Sequence, residues 1–112
     1  MKNSIVINKR INTFNKIIEV SGDKSISIRW VLFSSIAKGI SKAKNLLNSE
    51  DVNAALRAIK TLGIKYEQKK NVCKIYGKGI NGYKYRKNLI INAENSGTLG
   101  RIILGLVTNT SH

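Results

Sequence analysis

The sequence predicts an α/β fold in which amphipathic helices alternate with short β-branched runs along 112 residues. Three observations carry that expectation. Apolar residues recur at helical spacing in three separate segments. Runs rich in Ile, Val and Tyr, bounded by Gly, Asn or Ser, lie between them. Each predicted helix follows a small-residue polar turn. Hydrophobic residues make up 42% of the chain, enough for a core, so wholesale disorder is excluded.

Taken in order, residues 4–8 and 14–20 carry β-branched and apolar side chains in short runs and read as strands. The turn Val20-Ser21-Gly22-Asp23-Lys24-Ser25 then leads into a helix with Ile28, Val31, Leu32 and Ile36 on one face. Gly39 is expected at the position just past its end. Residues 40–46 read as a strand. Ser49 is a predicted N-cap, with Glu50 and Asp51 in the first turn, where the helix dipole favours acids. Val52, Ala55, Leu56, Ile59 and Leu62 form the buried stripe of this second helix, and Gly63 stops it. Residues 64–67 and 72–76 read as two strands joined by a hairpin-like connection. Gly77, Gly79 and Gly82 predict a loop, residues 88–92 a further strand, and Leu99, Ile102, Ile103 and Leu106 the stripe of a third helix. No closing strand follows that helix, so the chain is expected to be truncated within its α/β domain.

Composition narrows the function classes. No run of 18 apolar residues suggests a membrane span, and the N-terminus lacks a secretory leader's apolar core. A single cysteine, Cys73, has no partner for an internal disulfide, so a cytoplasmic location is the default. One Cys and one His, His112, leave no protein-only zinc site, and no metal is expected. The formal charge of +14 favours anionic partners. It also has a compositional reading: 15 Lys stand beside 17 Ile and 13 Asn with no Pro, all drawn from AT-rich codons.

Two strand–turn–helix junctions carry candidate chemistry. In the first, Lys24 stands at the mouth of a helix, while Ser25 and Arg29 are four apart and share its face. Unpaired backbone N–H groups and the positive end of the dipole make such a helix start a seat for phosphate. Arg supplies a planar fork and Lys a movable point charge. The plainer alternative is a surface helix capped by Asp23 or Ser25, with two solvated cations. In the second junction, Asn95-Ser96-Gly97-Thr98 turns into a helix bearing Arg101, and Thr98 and Arg101 face one way. Gly97 permits close approach of a ligand to the backbone. A P-loop is excluded, because Asp23 separates Gly22 from Lys24 and Ile17 occupies the earlier glycine position. Gly77-Lys78-Gly79-Ile80-Asn81-Gly82 matches dinucleotide-fingerprint spacing, yet no helical stripe follows it.

The stretch Gly22-Asp23-Lys24-Ser25-Ile26-Ser27-Ile28-Arg29, then Asn45-Leu46-Leu47-Asn48-Ser49-Glu50-Asp51-Val52, then Asn95-Ser96-Gly97-Thr98, resembles the N-terminal part of the EPSP synthase family. That family is 3-phosphoshikimate 1-carboxyvinyltransferase, AroA in bacteria. The resemblance runs along nearly the whole chain and about a quarter of such an enzyme. It implies a lobe built from βαβαββ units, incomplete here, with residues 1–20 belonging to or crossing toward the other lobe and residues 21–112 beginning the first. It implies transfer of the enolpyruvyl group of phosphoenolpyruvate to the 5-hydroxyl of shikimate 3-phosphate, in chorismate biosynthesis, by a monomer without a cofactor. By residue match, Lys24, Ser25 and Arg29 hold shikimate 3-phosphate, and Lys24 and Gly97 contact phosphoenolpyruvate. Asn95, Ser96, Thr98 and Arg101 support that pocket.

None of the six carboxylates matches the family's proton-transfer groups, so the resemblance implies no catalytic residue here and no activity for this stretch alone. The chain departs from the family pattern at Ser21, Ile28, Glu94 and Gly100. Glu94 puts a negative charge beside the expected phosphoenolpyruvate pocket, which opposes anion binding unless it is turned away. Gly100 is an unusual choice inside a helix.

A competing expectation is nucleic-acid binding by residues 65–87, which hold eight basic residues, one acid and all four tyrosines. Basic strands with exposed aromatics stack bases and track phosphates. The alternative there is a solvated hairpin with its tyrosines packed on the sheet.

Overall fold

A computed structural model describes residues 3–108. The last four residues, His112 among them, lie outside the described residues. The elements run α1 (Lys24–Ile36), β1 (Lys38–Lys44), α2 (Glu50–Thr61), β2 (Lys65–Lys69), β3 (Val72–Lys78) and α3 (Gly97–Val107).

α2 follows its sequence signals closely. Ser49 adopts extended backbone and its hydroxyl accepts the Val52 N–H at 3.3 Å, satisfying one of the orphan donors of the first turn. Glu50 and Asp51 occupy that first turn and Lys60 the last, both complementing the dipole. Gly63, at φ 88°, turns the chain out of the helix into β2. Val52, Ala55, Leu56, Ile59 and Leu62 are all buried.

The sheet has the order β1-β3-β2, and every pairing is antiparallel. β1 and β2 both oppose β3, so they run the same way with β3 inserted between them. α2 is the crossover that joins them, a split βαβ arrangement. The β2–β3 hairpin closes tightly after the Lys69↔Val72 pair, with Lys70 in the left-handed region at φ 52°. Alternation along β3 sends Cys73 and Ile75 into the core. The opposite face carries Lys42, Lys74 and Glu67 as one cross-strand row and Lys44, Val72 and Lys69 as the next. Many of the scattered lysines therefore sit on one sheet face away from the core.

α1 packs against α2, α3, β3 and β1, and so forms the centre of the molecule. Ile28, Val31 and Leu32 meet Val52, Leu56 and Ile59 of α2, Cys73 and Ile75 of β3, and Leu99 and Ile103 of α3 in one core. Full burial of each large aliphatic side chain contributes on the order of 1.5–3 kcal/mol. Tyr83 closes this core from the loop after β3. Its hydroxyl meets the Ser35 hydroxyl at 2.6 Å, and Ser35 in turn donates to the Leu32 carbonyl, so the buried polar groups are satisfied.

Four expectations are corrected. Residues 4–8 and 14–20 form no strand: Ile5, Ile7, Phe14 and Ile17 stand exposed. A strand is a hydrogen-bonded state, and these runs have no neighbouring edge. Gly39 does not end α1. The helix stops at Ile36, Ala37 turns extended, and Gly39 lies inside β1 at φ 97° opposite Gly77. Gly77 belongs to β3 and not to the loop, since it pairs with Gly39 of β1, and an added Cβ there would collide with the carbonyls of Ser34 and Ala37. Close passage of β3 beneath the end of α1 requires glycine there. Residues 88–92 also form no strand. Leu89 and Ile91 pack against the core while Ile90 is exposed, so the period of two reports packing without a ladder.

Candidate functional site

The first junction is built by α1. Asp23 is its N-cap and its carboxylate accepts the Ile26 N–H at 2.8 Å. That resolves the capping question in favour of Asp23 and leaves the half-buried Ser25 hydroxyl free of capping duty. Lys24 is the first helical residue, and no acid occupies the first turn of α1. A cation at that position opposes the helix dipole by about 0.3–1 kcal/mol. Its compensation comes from another element. The Lys24 ammonium lies 3.4 Å from Asp51 at the start of α2. Arg29, one turn further along α1, is exposed, and its guanidinium has neither ion pair nor hydrogen bond among the described residues.

The loop between β1 and α2 braces this junction. The Asn45 side-chain amide donates to the Val20 carbonyl at 3.0 Å, and the Leu47 N–H donates to the buried Ser27 hydroxyl at 3.2 Å. Gly22 lies so close that an added Cβ would stand 2.5 Å from the Asn45 carbonyl oxygen.

The second junction is built by α3. Ser96 is buried, caps the helix, and accepts the Leu99 N–H at 3.1 Å. The turn before it is closed by the Ser96 N–H donating to the Ala93 carbonyl at 3.0 Å. Gly97 is the first helical residue and faces open space, with nothing within 4 Å of an added Cβ. Asn95 is exposed, Thr98 is half-buried, and Arg101 is exposed without a partner among the described residues. Glu94 is turned toward Arg57, whose guanidinium lies 3.1 Å from its carboxylate. Its charge is thereby offset by a neighbour rather than left open beside Gly97. Gly100 has Ala93 Cβ at 3.8 Å from an added Cβ, an ordinary contact, so packing does not demand glycine there.

Each junction thus presents a capped helix start with an unpaired arginine one turn or so inside. α1 and α3 pack on each other, although no hydrogen bond or ion pair among the described residues joins the two sets of side chains. Sequence spacing pointed to both junctions and missed Asp51 and Asn45 as partners of the first. Asp51 had been accounted for by its own helix, and a contact between residues 27 apart leaves no periodic signal.

The basic stretch 65–87 does not form a stacking surface. Tyr83 is buried in the core, and Tyr66 and Tyr85 pack against it. Burial pushes the Tyr83 hydroxyl pKa up, partly offset by the Ser35 hydrogen bond. Tyr76 remains on the outer face, but its hydroxyl donates to Glu67 at 3.1 Å and Lys65 sits 5.2 Å from its ring centre. The Tyr76 hydrogen bond, reinforced by Lys65, holds the Glu67 carboxyl below its usual range despite some desolvation. Nothing here supports the nucleic-acid reading.

Among the described residues no helix is long and apolar enough to cross a membrane.

Known proteins resemble this chain in sequence and in fold. The family model for EPSP synthase (3-phosphoshikimate 1-carboxyvinyltransferase) matches residues 8–112. A 3-phosphoshikimate 1-carboxyvinyltransferase of Bacillus cytotoxicus is 40% identical over 101 residues, covering 90% of this chain and 24% of its own length. One from Alkaliphilus oremlandii is 38% identical over 108 residues, covering 96% and 25%. The solved structure of EPSP synthase from Acinetobacter baumannii superposes with a TM-score of 0.73 at 33% identity, over 80% of this chain and 20% of that one. The chain therefore spans at most about a quarter of the length of these relatives. A match over nearly all of its residues in sequence, and over 80% of them in fold, establishes that the chain belongs to the EPSP synthase (3-phosphoshikimate 1-carboxyvinyltransferase) family.

Proposed function

We propose that this chain supplies part of the substrate-binding surface of a 3-phosphoshikimate 1-carboxyvinyltransferase. In that reaction the 5-hydroxyl of shikimate 3-phosphate gives up its proton and adds to phosphoenolpyruvate, whose methylene takes a proton to become a methyl; phosphate then leaves as that methyl gives a proton back, restoring the enol double bond. Lys24, Ser25 and Arg29 hold shikimate 3-phosphate. Lys24 and Gly97 contact phosphoenolpyruvate, with Asn95, Ser96, Thr98 and Arg101 around them. The task is to bring two multiply charged anions together against their repulsion, which cationic groups and helix dipoles accomplish best where water is scarce.

The observation that carries the reading is the pair of unpaired guanidiniums. Arg29 and Arg101 stand near the starts of two capped helices, α1 and α3, that pack together. Four of the six carboxylates are already engaged: Asp23 as a cap, and Asp51, Glu67 and Glu94 with cations. That supports assigning binding, and not proton transfer, to this stretch. The exposed apolar side chains of Ile5, Ile7, Phe14 and Ile17 support a role for residues 1–20 in or toward a second lobe, with residues 21–112 beginning the first. The working enzyme is a cytoplasmic monomer.

Titration calorimetry of the chain with shikimate 3-phosphate tests the proposal. Saturable binding is expected, and Arg29→Ala should weaken it at least about thirtyfold, as loss of a charge-assisted pair implies. Binding unaffected by that substitution overturns the assignment. Phosphate release from phosphoenolpyruvate by the chain alone is expected to be absent.

A further inference from the structure

We infer that Asn45 is a positioning residue for the phosphate-binding turn, acting from the β1–α2 loop on the backbone that leads into α1. The inference rests on the function proposed above and identifies what holds Lys24, Ser25 and Arg29 in place.

Three contacts converge on this short stretch. The Asn45 amide donates to the Val20 carbonyl at 3.0 Å, two residues before Gly22. The Asn45 carbonyl and the Leu47 N–H form the wall against which Gly22 is pressed, at 2.5 and 3.1 Å from an added Cβ. Leu47 also donates to Ser27, one turn inside α1, at 3.2 Å. The loop therefore grips the chain on both sides of Lys24 and Ser25.

The loop itself is anchored to the sheet, because the Asn45 N–H donates to the Asn71 carbonyl at 3.1 Å in the β2–β3 turn. Asn45 sits at φ 58°, a left-handed conformation that asparagine tolerates and glycine adopts freely. The residues before α1 have no secondary structure of their own, so their approach to the helix depends on such ties. A helix start displaced by even about 1 Å misplaces every group aimed at a ligand.

Asn45→Gly separates positioning from folding, since it keeps the left-handed backbone and its N–H and carbonyl while deleting the side chain that reaches Val20. The measurements are shikimate 3-phosphate affinity and amide hydrogen exchange on the whole chain. The variant is expected to bind about tenfold more weakly, the equivalent of one lost hydrogen bond. Exchange at Ile26 and Ser27 should accelerate about tenfold, while Leu56 and Ile59 in α2 stay within about twofold. Unchanged exchange at Ile26 and Ser27 overturns the inference. Equal acceleration at Leu56 and Ile59 also overturns it, because that marks a purely structural role. So does faster local exchange with unaltered affinity. If the unmutated chain fails to bind shikimate 3-phosphate, the proposed function is what falls, and the exchange data alone decide the role of Asn45.

Discussion

The ammonium of Lys24 lies 3.4 Å from the carboxylate of Asp51, linking the first residue of α1 to the first turn of α2. Asp51 serves two helices at once: it complements the dipole of its own and offsets a cation badly placed on the other. The Lys24 side chain is 57% exposed and that of Asp51 18%, so solvent screens the pair. Its coupling should be no more than about 1 kcal/mol. A double-mutant cycle of Lys24→Met and Asp51→Asn by urea unfolding should show that coupling at low salt and little of it at about 1 M salt, where the Debye length is about 3 Å. Zero coupling at low ionic strength would mean the contact contributes nothing.

Two glycines should respond in opposite ways to alanine. At Gly77 an added methyl meets the carbonyls of Ser34 and Ala37, groups that cannot move without shifting the end of α1. Gly77→Ala is expected to destabilise by about 2–3 kcal/mol or more. At Gly105, in the last turn of α3, nothing lies within 4 Å of an added Cβ. Gly105→Ala should stabilise by roughly 0.5–1 kcal/mol through lower unfolded-state entropy. Thermal melts of the two variants check both signs.

Tyr83 makes stability fall at alkaline pH. Its folded-state pKa is raised, chiefly by burial, so the folded state holds the proton more tightly than the unfolded state does. The contribution is complete below the ordinary tyrosine value of about 10 and is lost as pH rises through the folded value. Tyr83→Phe should cost about 1 kcal/mol at neutral pH, since the Ser35 contact goes, and should flatten the alkaline limb. Denaturation midpoints measured from pH 7 to 11.5 decide this; an unchanged alkaline slope counts against it.

Gly97 separates binding from stability. Because open space surrounds it, Gly97→Ala should leave the unfolding free energy within about 0.5 kcal/mol of the parent. The same methyl would stand between the α3 backbone and a ligand, so phosphoenolpyruvate affinity should drop by about tenfold or more. Equal affinity would remove Gly97 from the binding surface.

Several features were legible because they depend on neighbours in the chain. The Ser49 cap, the buried stripe from Val52 to Leu62 and the Gly63 stop all rest on contacts within a few residues, and each appears where the sequence put it. The two junctions were visible for the same reason. Residues 88–92 and the runs before Val20 were misread because alternation signals a side chain's environment, whereas a strand needs a partner elsewhere in the chain.

Local chemistry was enough to specify three helices, a hairpin, the Ser49 cap on α2 and the cations at two helix starts. Folding in three dimensions was needed to insert β3 between β1 and β2, to press Gly77 under α1, and to turn Glu94 onto Arg57. It also set Asn45 against Val20 and Asp51 against Lys24. Hydrogen bonds and ion pairs of this second kind join residues 25 to 48 positions apart. No propensity or period encodes them, because they exist only once the core has fixed the distances between helices and sheet.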